Sequence, residues 1–349
     1  MNELFEYRRE LDALRFTPEQ KTALAERAAR TAEQPPRRAH PPIRRAALVA
    51  AALAVVLTVG AGASGALKSA VDAFAGIFGG DVAQTEIIDK IGRPIGASAT
   101  DNGVTITADA ILGDAYNVCI VYTVSRDDGT ALLPDGVPAE LLWPGGFGGA
   151  SLDVQGGTYG SAGFVNGDSG DGSVQYLETI SSDTPLIHGA ATAEFENLTW
   201  HNSETGEETM VAEGHWKFRF VLDYEDSSVT LDGGTFTQEG MTFTIDEITV
   251  SPVAIRVAYN VDSVAVWSGA PSGKTSDEDR ETARRYLDVD LLLTKTDGTV
   301  IDLAGSGGSI SPRDENTACT KGRVFDEIIS LDEIASVSVG GVEFPLTAE

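Results

Sequence analysis

The chain has 349 residues, 42% hydrophobic and 22% charged, and this composition excludes a fully disordered chain and a fibrous repeat. Its 53 acidic residues against 25 basic ones give a net charge of −28, which argues against nucleic-acid binding because phosphate recognition needs a basic surface. Two cysteines are too few for a disulfide scaffold or a multi-cysteine zinc module.

The N-terminal segment predicts two short helices followed by an extended linker. Thr17 is placed as the N-cap of the second helix, with Pro18 at its first position and Gln20 completing a capping box. The two helices offer so little apolar area that they either fold on a partner or lie loosely beneath a membrane. Residues 34–42 hold four prolines and predict the linker. The first helix carries one apolar stripe, made of Leu4, Tyr7, Leu11 and Leu14.

Residues 46–67 form a run of 22 residues without a charge. A helix of that length spans about 33 Å, close to one hydrocarbon core, so the run predicts a transmembrane helix. The charge of the chain divides at this run. Residues 1–45 hold ten basic and seven acidic residues, a net of +3, whereas residues 46–349 carry −31. The N-terminal part is therefore a basic tail and the remainder is strongly acidic.

The basic residues beside the span predict its orientation. Four arginines and no acid crowd its N-terminal side, so the positive-inside rule places the tail in the cytoplasm and the acidic part outside. One alternative is a cleaved secretory signal with Ala61-Gly62-Ala63 as its cleavage site, although 45 residues precede the apolar run. Another alternative is a buried core helix. The four arginines are Arg37, Arg38, Arg44 and Arg45.

Beyond the span, the pattern changes from one short helix to strands. The helix packs either on the outer membrane surface or on the first outer domain, and its apolar face comprises Leu67, Val71, Phe74, Ile77 and Phe78. From about residue 95, apolar residues alternate with polar ones, which is typical of antiparallel strands with one face on a core. The alternating runs lie at 104–110, 216–222, 253–261, 287–293 and 337–346.

Turn signals and two polar stretches divide these strands. Asn102-Gly103 predicts a hairpin turn, as do Asp297-Gly298 and Gly340-Gly341. We interpret the Gly-rich residues 145–172 as an insert of the first domain and residues 268–280 as a polar, mobile loop. About 255 residues of strand pattern suit two β-sandwiches better than one.

The sequence contains no catalytic or metal motif that we can assign. The four histidines lack the spacing of a zinc helix, and His215 reads as a surface residue before a strand. Asn166, Asp168 and Asp171 form either a calcium site or, more simply, a solvated turn, because an EF-hand needs further oxygen ligands and a glutamate. We interpret Cys119 and Cys319 as separate thiols, with a disulfide as the alternative.

Several segments share a pattern with a known group of proteins. They are LDALRFTPEQKTALAERAAR (11–30), the span, SATDNGVTITADAIL (98–112), and more loosely residues 214–220 and 243–252. These segments resemble bacterial membrane proteins that carry the domain of unknown function 4179. Residues 331–337 resemble the C-terminal immunoglobulin-like domain of that family.

The resemblance implies a single-pass protein with its tail inside and its β-domains outside. Several members look like anti-sigma factors, which hold an extracytoplasmic-function sigma factor by the tail. The tail of this chain departs from the zinc-type anti-sigma pattern because it has no cysteine. In this interpretation the residues that pack on the sigma factor are Leu4, Tyr7, Leu11, Leu14, Phe16 and Leu24.

We therefore expect a mainly β protein with two immunoglobulin-like antiparallel β-sandwich domains outside, one transmembrane helix and a short helical cytoplasmic tail. The expected divisions are 1–45 (tail and Pro-rich linker), 46–67 (transmembrane helix), 68–94 (juxtamembrane helix and linker), 95–232 (first β-sandwich) and 233–349 (immunoglobulin-like domain).

Two functions compete. The first is a membrane-anchored regulator whose tail binds an extracytoplasmic-function sigma factor. The second is a membrane-tethered extracytoplasmic binding or structural module without a sigma-factor role. The expected partners are this sigma factor and the lipid bilayer, without nucleic acid, cofactor or metal. We do not expect an enzyme, and the sequence identifies no outer ligand.

Overall fold

The computed structural model describes residues 68–78, 82–133, 147–153, 158–165, 172–201, 208–269 and 275–346. The predicted tail and span lie outside these ranges, as does the loop with Asn166, Asp168 and Asp171. Within the described ranges, every helix is too short or too polar to cross a bilayer.

Three α-helices occur in the described part of the chain: α1 (Ala70–Phe78), α2 (Val82–Ile91) and α3 (Asp277–Leu287). The segment 68–94, expected to hold one helix and a linker, thus holds two helices. The apolar face of α1 packs on the first sheet, which was one of the two expected positions.

The N-terminal lobe, residues 93–222, contains two antiparallel sheets. The first sheet has the strand order β1-β2-β3-β6-β5, and the second has the order β4-β7-β8. Side chains from both sheets meet in one apolar core that includes Tyr122, Phe195 and Trp216. The strands are β1 (Arg93–Asp101), β2 (Val104–Gly113), β3 (Asn117–Arg126), β4 (Phe147–Asp153), β5 (Thr158–Val165), β6 (Val174–Ser182), β7 (Gly189–His201) and β8 (Glu208–Leu222).

The C-terminal lobe, residues 229–345, also contains two antiparallel sheets around a core of its own. One has the order β10-β11-β12-β16-β15, with β9 also paired to β11, and the other has the order β14-β13-β17-β18. The strands are β9 (Val229–Asp232), β10 (Thr235–Gln238), β11 (Met241–Val250), β12 (Ala254–Val261), β13 (Leu291–Lys295), β14 (Val300–Asp302), β15 (Gly307–Pro312), β16 (Thr317–Val324), β17 (Ile334–Val339) and β18 (Val342–Pro345).

Most of the alternating runs are confirmed as strands. The runs at 104–110, 216–222 and 253–261 fall in β2, β8 and β12, and the closing run falls in β17 and β18. The hairpin between β1 and β2 turns at Asn102 and Gly103, whose φ angles of 47° and 76° are both positive. A primed turn needs this left-handed backbone, which explains the Asn-Gly pair.

Three predictions from the sequence are wrong in the described residues. The polar stretch 268–280 is not simply a loop, because α3 begins at Asp277 after the Ser276 N-cap, whose side chain accepts from the Asp279 amide. The run 287–293 begins in that helix, and its strand starts only at Leu291. The Gly-rich stretch 145–172 is not a separate insert, because its strands β4 and β5 pair with β7 and β6 in the two sheets of the lobe. Periodicity misses α3 because most of this helix is charged and exposed.

A β-bulge in β2 changes the face of the first sheet on which the apolar side chains of this strand lie. The pairing of β2 with β3 shifts between Ala108 and Ala110, so Asp109 is the extra residue. Before the bulge, Val104 and Ile106 face the core of the N-terminal lobe, whereas Ala110 and Leu112 after it belong to a second cluster on the opposite face. The sheet is therefore covered on both sides where α1 and α2 pack.

Candidate functional site

The candidate site is an apolar cluster where the two helices meet both lobes. Its members come from α1 and α2, from strands β2 and β3, and from the C-terminal lobe. We call it the junction cluster; its buried members are Ala70, Ala73, Phe74, Phe78, Ile88, Ile91, Ala110, Leu112, Cys119, Val121, Val253, Ala254 and Ile328. Since all three parts bury apolar surface here, the cluster joins them into one packed body.

Helix α1 is held firmly at its beginning. The Ser69 hydroxyl donates to Asp72 Oδ2 at 2.7 Å and accepts from the Asp72 amide at 3.1 Å, which caps the first turn. A Cβ atom on Gly92 would lie 2.8 Å from Ala70 Cβ, so a glycine is needed where the end of α2 passes the start of α1. Further along α1, the rings of Phe74 and Phe78 stack at 5.7 Å.

Lys68, two residues before the start of α1, is bonded to the first sheet. Its Nζ lies 3.2 Å from Asp109 Oδ2 and 2.9 Å from Thr123 Oγ1, and the Thr123 hydroxyl also donates to Asp109. The Asp109 carboxylate is buried at the bulge of β2 and burial raises its pKa, although the bonds from Thr123 and Lys68 oppose that rise. The three side chains attach the start of the described chain to β2 and β3.

A buried hydrogen bond between Asp114 and Ser251 joins the two lobes, and we call this pair the polar staple. Asp114 Oδ1, in the turn after β2, accepts from the amides of Tyr116 and Asn117 at 2.8 Å each. Asp114 Oδ2 accepts a 2.6 Å bond from the Ser251 hydroxyl of the C-terminal lobe. Burial raises the pKa of Asp114, and the bond from Ser251 is the largest contribution that opposes it. One carboxylate thus orders its own turn and contacts the opposite lobe.

A second polar contact lies beside this staple. The Tyr116 hydroxyl donates to Glu247 Oε1 at 3.1 Å, and the Arg256 guanidinium lies 4.0 Å from the centre of the Tyr116 ring. Arg256 also donates to the Asp183 carbonyl at 3.1 Å. The Asp183 side chain accepts a 2.8 Å bond from Thr320. These contacts all cross from one lobe to the other.

Two open clefts flank the junction cluster. One, of about 480 Å³, lies beside Phe78, Thr179 and Arg323, and the other, of about 640 Å³, lies between Lys90 of α2 and Asp332. Residues of both lobes line the first cleft. The second separates α2 from the turn at Leu331–Glu333. A molecule bound in either cleft would contact the elements that meet at the junction.

The described residues bring one potential metal-ligand set together. Single ligand atoms of Glu194, Glu196 and His215 lie within 4.8 Å of one another on strands β7 and β8. However, Lys217 Nζ lies 2.5 Å and His215 Nε2 lies 2.7 Å from the Glu194 carboxylate, and the bond from Lys217 is the main reason that its pKa is lowered. The carboxylate is neutralised by its own neighbours, so we assign no metal. His215 is exposed, as predicted.

The two cysteines are separate, as predicted. Cys119 belongs to the junction cluster, Cys319 belongs to the core of the C-terminal lobe, and both are free thiols. Burial raises the pKa of each thiol to about 12. A neutral, buried thiol is a poor nucleophile, so neither cysteine is prepared for chemistry.

The predicted tail contacts lie outside the described residues, and the structure therefore does not place them. They are Leu4, Tyr7, Leu11, Leu14, Phe16 and Leu24. Sequence reasoning also passed over Asp109, Asp114 and Ser251. A usable signal existed for Asp114, because Asp followed by Asn three residues later between two strands is typical of a side-chain-bonded turn. No local signal links it to Ser251, 137 residues away.

A family model for a domain of unknown function, DUF4179, matches residues 42–126. The DUF4179 match includes the predicted span and, among the described residues, α1, α2 and the first three strands. The curated proteins contain no significant match to this chain.

One solved structure is similar to the chain. It is a conserved domain protein from Bacillus anthracis, with 16% identity and a TM-score of 0.42. The alignment covers 71% of this chain and 76% of that protein.

Proposed function

We propose that this protein is a membrane-anchored regulator. Its N-terminal tail binds an extracytoplasmic-function sigma factor in the cytoplasm, and its two β-lobes bind or sense a signal outside. The observation that carries the proposal is the attachment of Lys68 to Asp109 and Thr123, because Lys68 follows the predicted span at 46–67 without an intervening residue. In the proposed arrangement no linker separates the span from this attachment, so movement of the lobes reaches the span.

The DUF4179 match supports treating the span and its docking strands as one unit. It begins at residue 42, before the span, and ends at residue 126, the last residue of β3. Asp109 and Thr123 both fall within this match. The division of charge at the span, +3 before it and −31 from it onward, supports the proposed orientation.

Support for the sigma factor as partner comes from the tail sequence and from its resemblance to anti-sigma proteins. The predicted helix with Leu11 and Leu14 is amphipathic, but its apolar face is too small to stabilise a fold alone. Such a segment orders when its apolar face enters a groove on a partner. The net positive charge of the tail is small, so a protein is a better partner than nucleic acid.

Binding of the full-length chain to a purified extracytoplasmic-function sigma factor from the same genome tests the proposal. Leu11→Asp places a charge in the apolar stripe and should weaken binding by about tenfold or more, a loss of roughly 1.4 kcal/mol. Ala13→Asp makes the same charge change on the opposite side of the predicted helix and serves as the matched control. The proposal is lost if the unaltered chain binds no such sigma factor, or if both variants weaken binding equally.

The alternative is a membrane-tethered binding or structural module without a sigma-factor role. The two clefts beside the junction cluster favour it, since a binding module needs only a concave surface outside the membrane. Deleting residues 1–45 discriminates the two functions. The alternative expects the outer function to survive this deletion, whereas the regulator loses its control of transcription.

A further inference from the structure

Helix α1 belongs to an apolar cluster that residues of both lobes complete, and its last residue, Phe78, lines one cleft together with Arg323 and Phe325 of the C-terminal lobe. Its side chains Phe74 and Phe78 are buried in the junction cluster. On the N-terminal side the cluster is completed by strands β2 and β3, and on the C-terminal side by Val253, Ala254 and Ile328. The cluster that buries α1 is therefore complete only when the C-terminal lobe is in place.

Ser251 connects the polar staple to this apolar cluster. Its hydroxyl donates to Asp114 of the N-terminal lobe at 2.6 Å. The same oxygen accepts from the amides of Val253 and Ala254, at 3.2 and 3.0 Å. These are two of the three buried C-terminal-lobe residues in the cluster. One side chain therefore bonds to the opposite lobe and also fixes two residues of the junction cluster.

Helix α1 is also directly continuous with the attachment of Lys68. Only Ser69, the capping residue, separates Lys68 from the first residue of the helix. Residues 68–78 thus run from the bond with Asp109 into the junction cluster without a loop.

We propose that the junction is a release device in which α1 stays docked only while the two lobes are closed on each other. Separation of the lobes removes the C-terminal side of the junction cluster and exposes the apolar face of α1. The segment 68–78 then loosens from β2 and β3, and the movement reaches the span. Its meaning as a signalling step rests on the proposed membrane anchor, but the coupling itself is a property of the described lobes.

Adjacent isoleucines provide a matched pair of variants. Ile328 belongs to the junction cluster, whereas Ile329 belongs to the core of the C-terminal lobe, and both are buried. Amide hydrogen exchange of the full-length chain in detergent should report the difference. Ile328→Ala should speed exchange in peptides covering residues 70–78 by at least fivefold. Ile329→Ala should leave these peptides within a factor of two while it loosens strands of the C-terminal lobe.

A second variant tests the coupling without changing an apolar contact of α1. Ser251→Ala removes the bond to Asp114 and should also speed exchange at residues 70–78, by threefold or more. Its control is Ser306→Ala, which removes a 2.6 Å bond to the Leu303 carbonyl within the C-terminal lobe. This control should leave exchange at 70–78 unchanged.

The outcomes separate the release device from the proposed function. Faster exchange at residues 70–78 in Ser251→Ala, but not in Ser306→Ala, supports the device even if the tail binds no sigma factor. Faster exchange confined to residues 251–256 overturns it, because the staple would then open without freeing α1. If Ile328→Ala unfolds the chain, the comparison of Ser251→Ala with Ser306→Ala alone decides whether the release device exists.

Discussion

Ser251 donates a 2.6 Å hydrogen bond to Asp114, and both side chains are buried although 137 residues separate them. Asp114 also accepts two amide bonds within its own turn. A buried carboxylate with this many donors is costly to remove, since the amides of its turn lose their acceptor. The contact therefore stabilises the turn and the closure of the lobes together.

Removing the Asp114 carboxylate should destabilise the protein more than replacing it with an amide. We expect Asp114→Ala to lower the free energy of unfolding by about 2–3 kcal/mol, because the amides of Tyr116 and Asn117 lose their acceptor. Asp114→Asn retains a carbonyl oxygen for these amides and should cost less than half as much. Urea denaturation followed by circular dichroism measures both, and equal losses would contradict this account of the turn.

The raised pKa of Asp114 predicts a pH dependence of stability with a definite sign. Burial raises its pKa in the folded state above that in the unfolded chain. The folded state then binds the proton more tightly, so the contribution of Asp114 is fully present below its ordinary pKa and is lost as pH rises through the raised value. The stability of the unaltered protein minus that of Asp114→Asn should fall across this interval. A difference that increases with pH would refute the assignment.

The attachment of Lys68 depends on Thr123. Thr123→Val keeps the shape of the side chain but removes the hydroxyl bonded to Asp109, and it should lower the free energy of unfolding by about 1–2 kcal/mol. Thr105→Val serves as the control, because Thr105 bonds to Asp127 in an exposed position and should cost under about 0.5 kcal/mol. Thermal denaturation of both variants measures these losses of stability. Similar losses would show that the buried carboxylate does not depend on Thr123.

Replacing Lys321 should destabilise the protein far more than replacing a basic residue on the surface of the same strand. Its side chain is buried, with the residue only 2% exposed, and Nζ donates to the carbonyls of Leu287 and Ala304 at 2.6 and 2.5 Å. Lys321→Ala removes the donor of both carbonyls, of which that of Leu287 keeps the Val289 amide, and it should cost about 2–4 kcal/mol because the buried side chain is also lost. Arg323→Ala, two residues further along β16, removes only a surface ion pair with Asp326 and should stay within about 0.5 kcal/mol.

Cys119 offers a chemical probe of the junction. Because it is buried in the junction cluster with a pKa raised to about 12, it should react slowly with a thiol reagent in the native protein. Ser251→Ala should accelerate labelling of Cys119 more than that of Cys319, which lies in the other core. Mass spectrometry of the two cysteine peptides over time measures the rates. Equal acceleration would indicate general loosening of both lobes.

The alternating sequence predicted most strands because an antiparallel strand with one buried face alternates apolar and polar residues. This rule fails where both faces are covered, as at Val118 to Val121 in β3, which is apolar on both sides. It also fails for α3, whose charged residues leave only Asp279 and Tyr286 buried. The helix is stabilised instead by its Ser276 cap and by its tertiary contacts.

The candidate site was far less predictable than the fold. Asp109 is the only charged residue of β2, and the bulge in the pairing with β3 places it beside Lys68. Ser251 precedes a proline in an ordinary loop. Neither residue carries a local pattern that identifies its partner, because the partner is supplied by the folded chain.

By itself, the sequence determined the mainly β character of the chain, the uncharged run at 46–67 and the division of charge on its two sides. These properties follow from composition and from short periodic patterns, which record whether a side chain is buried. Only the tertiary structure decided what buries it. The place of α1 in a cluster shared by both lobes and the bond between Asp114 and Ser251 depend on contacts between distant segments, and such contacts exist only once the sheets have assembled.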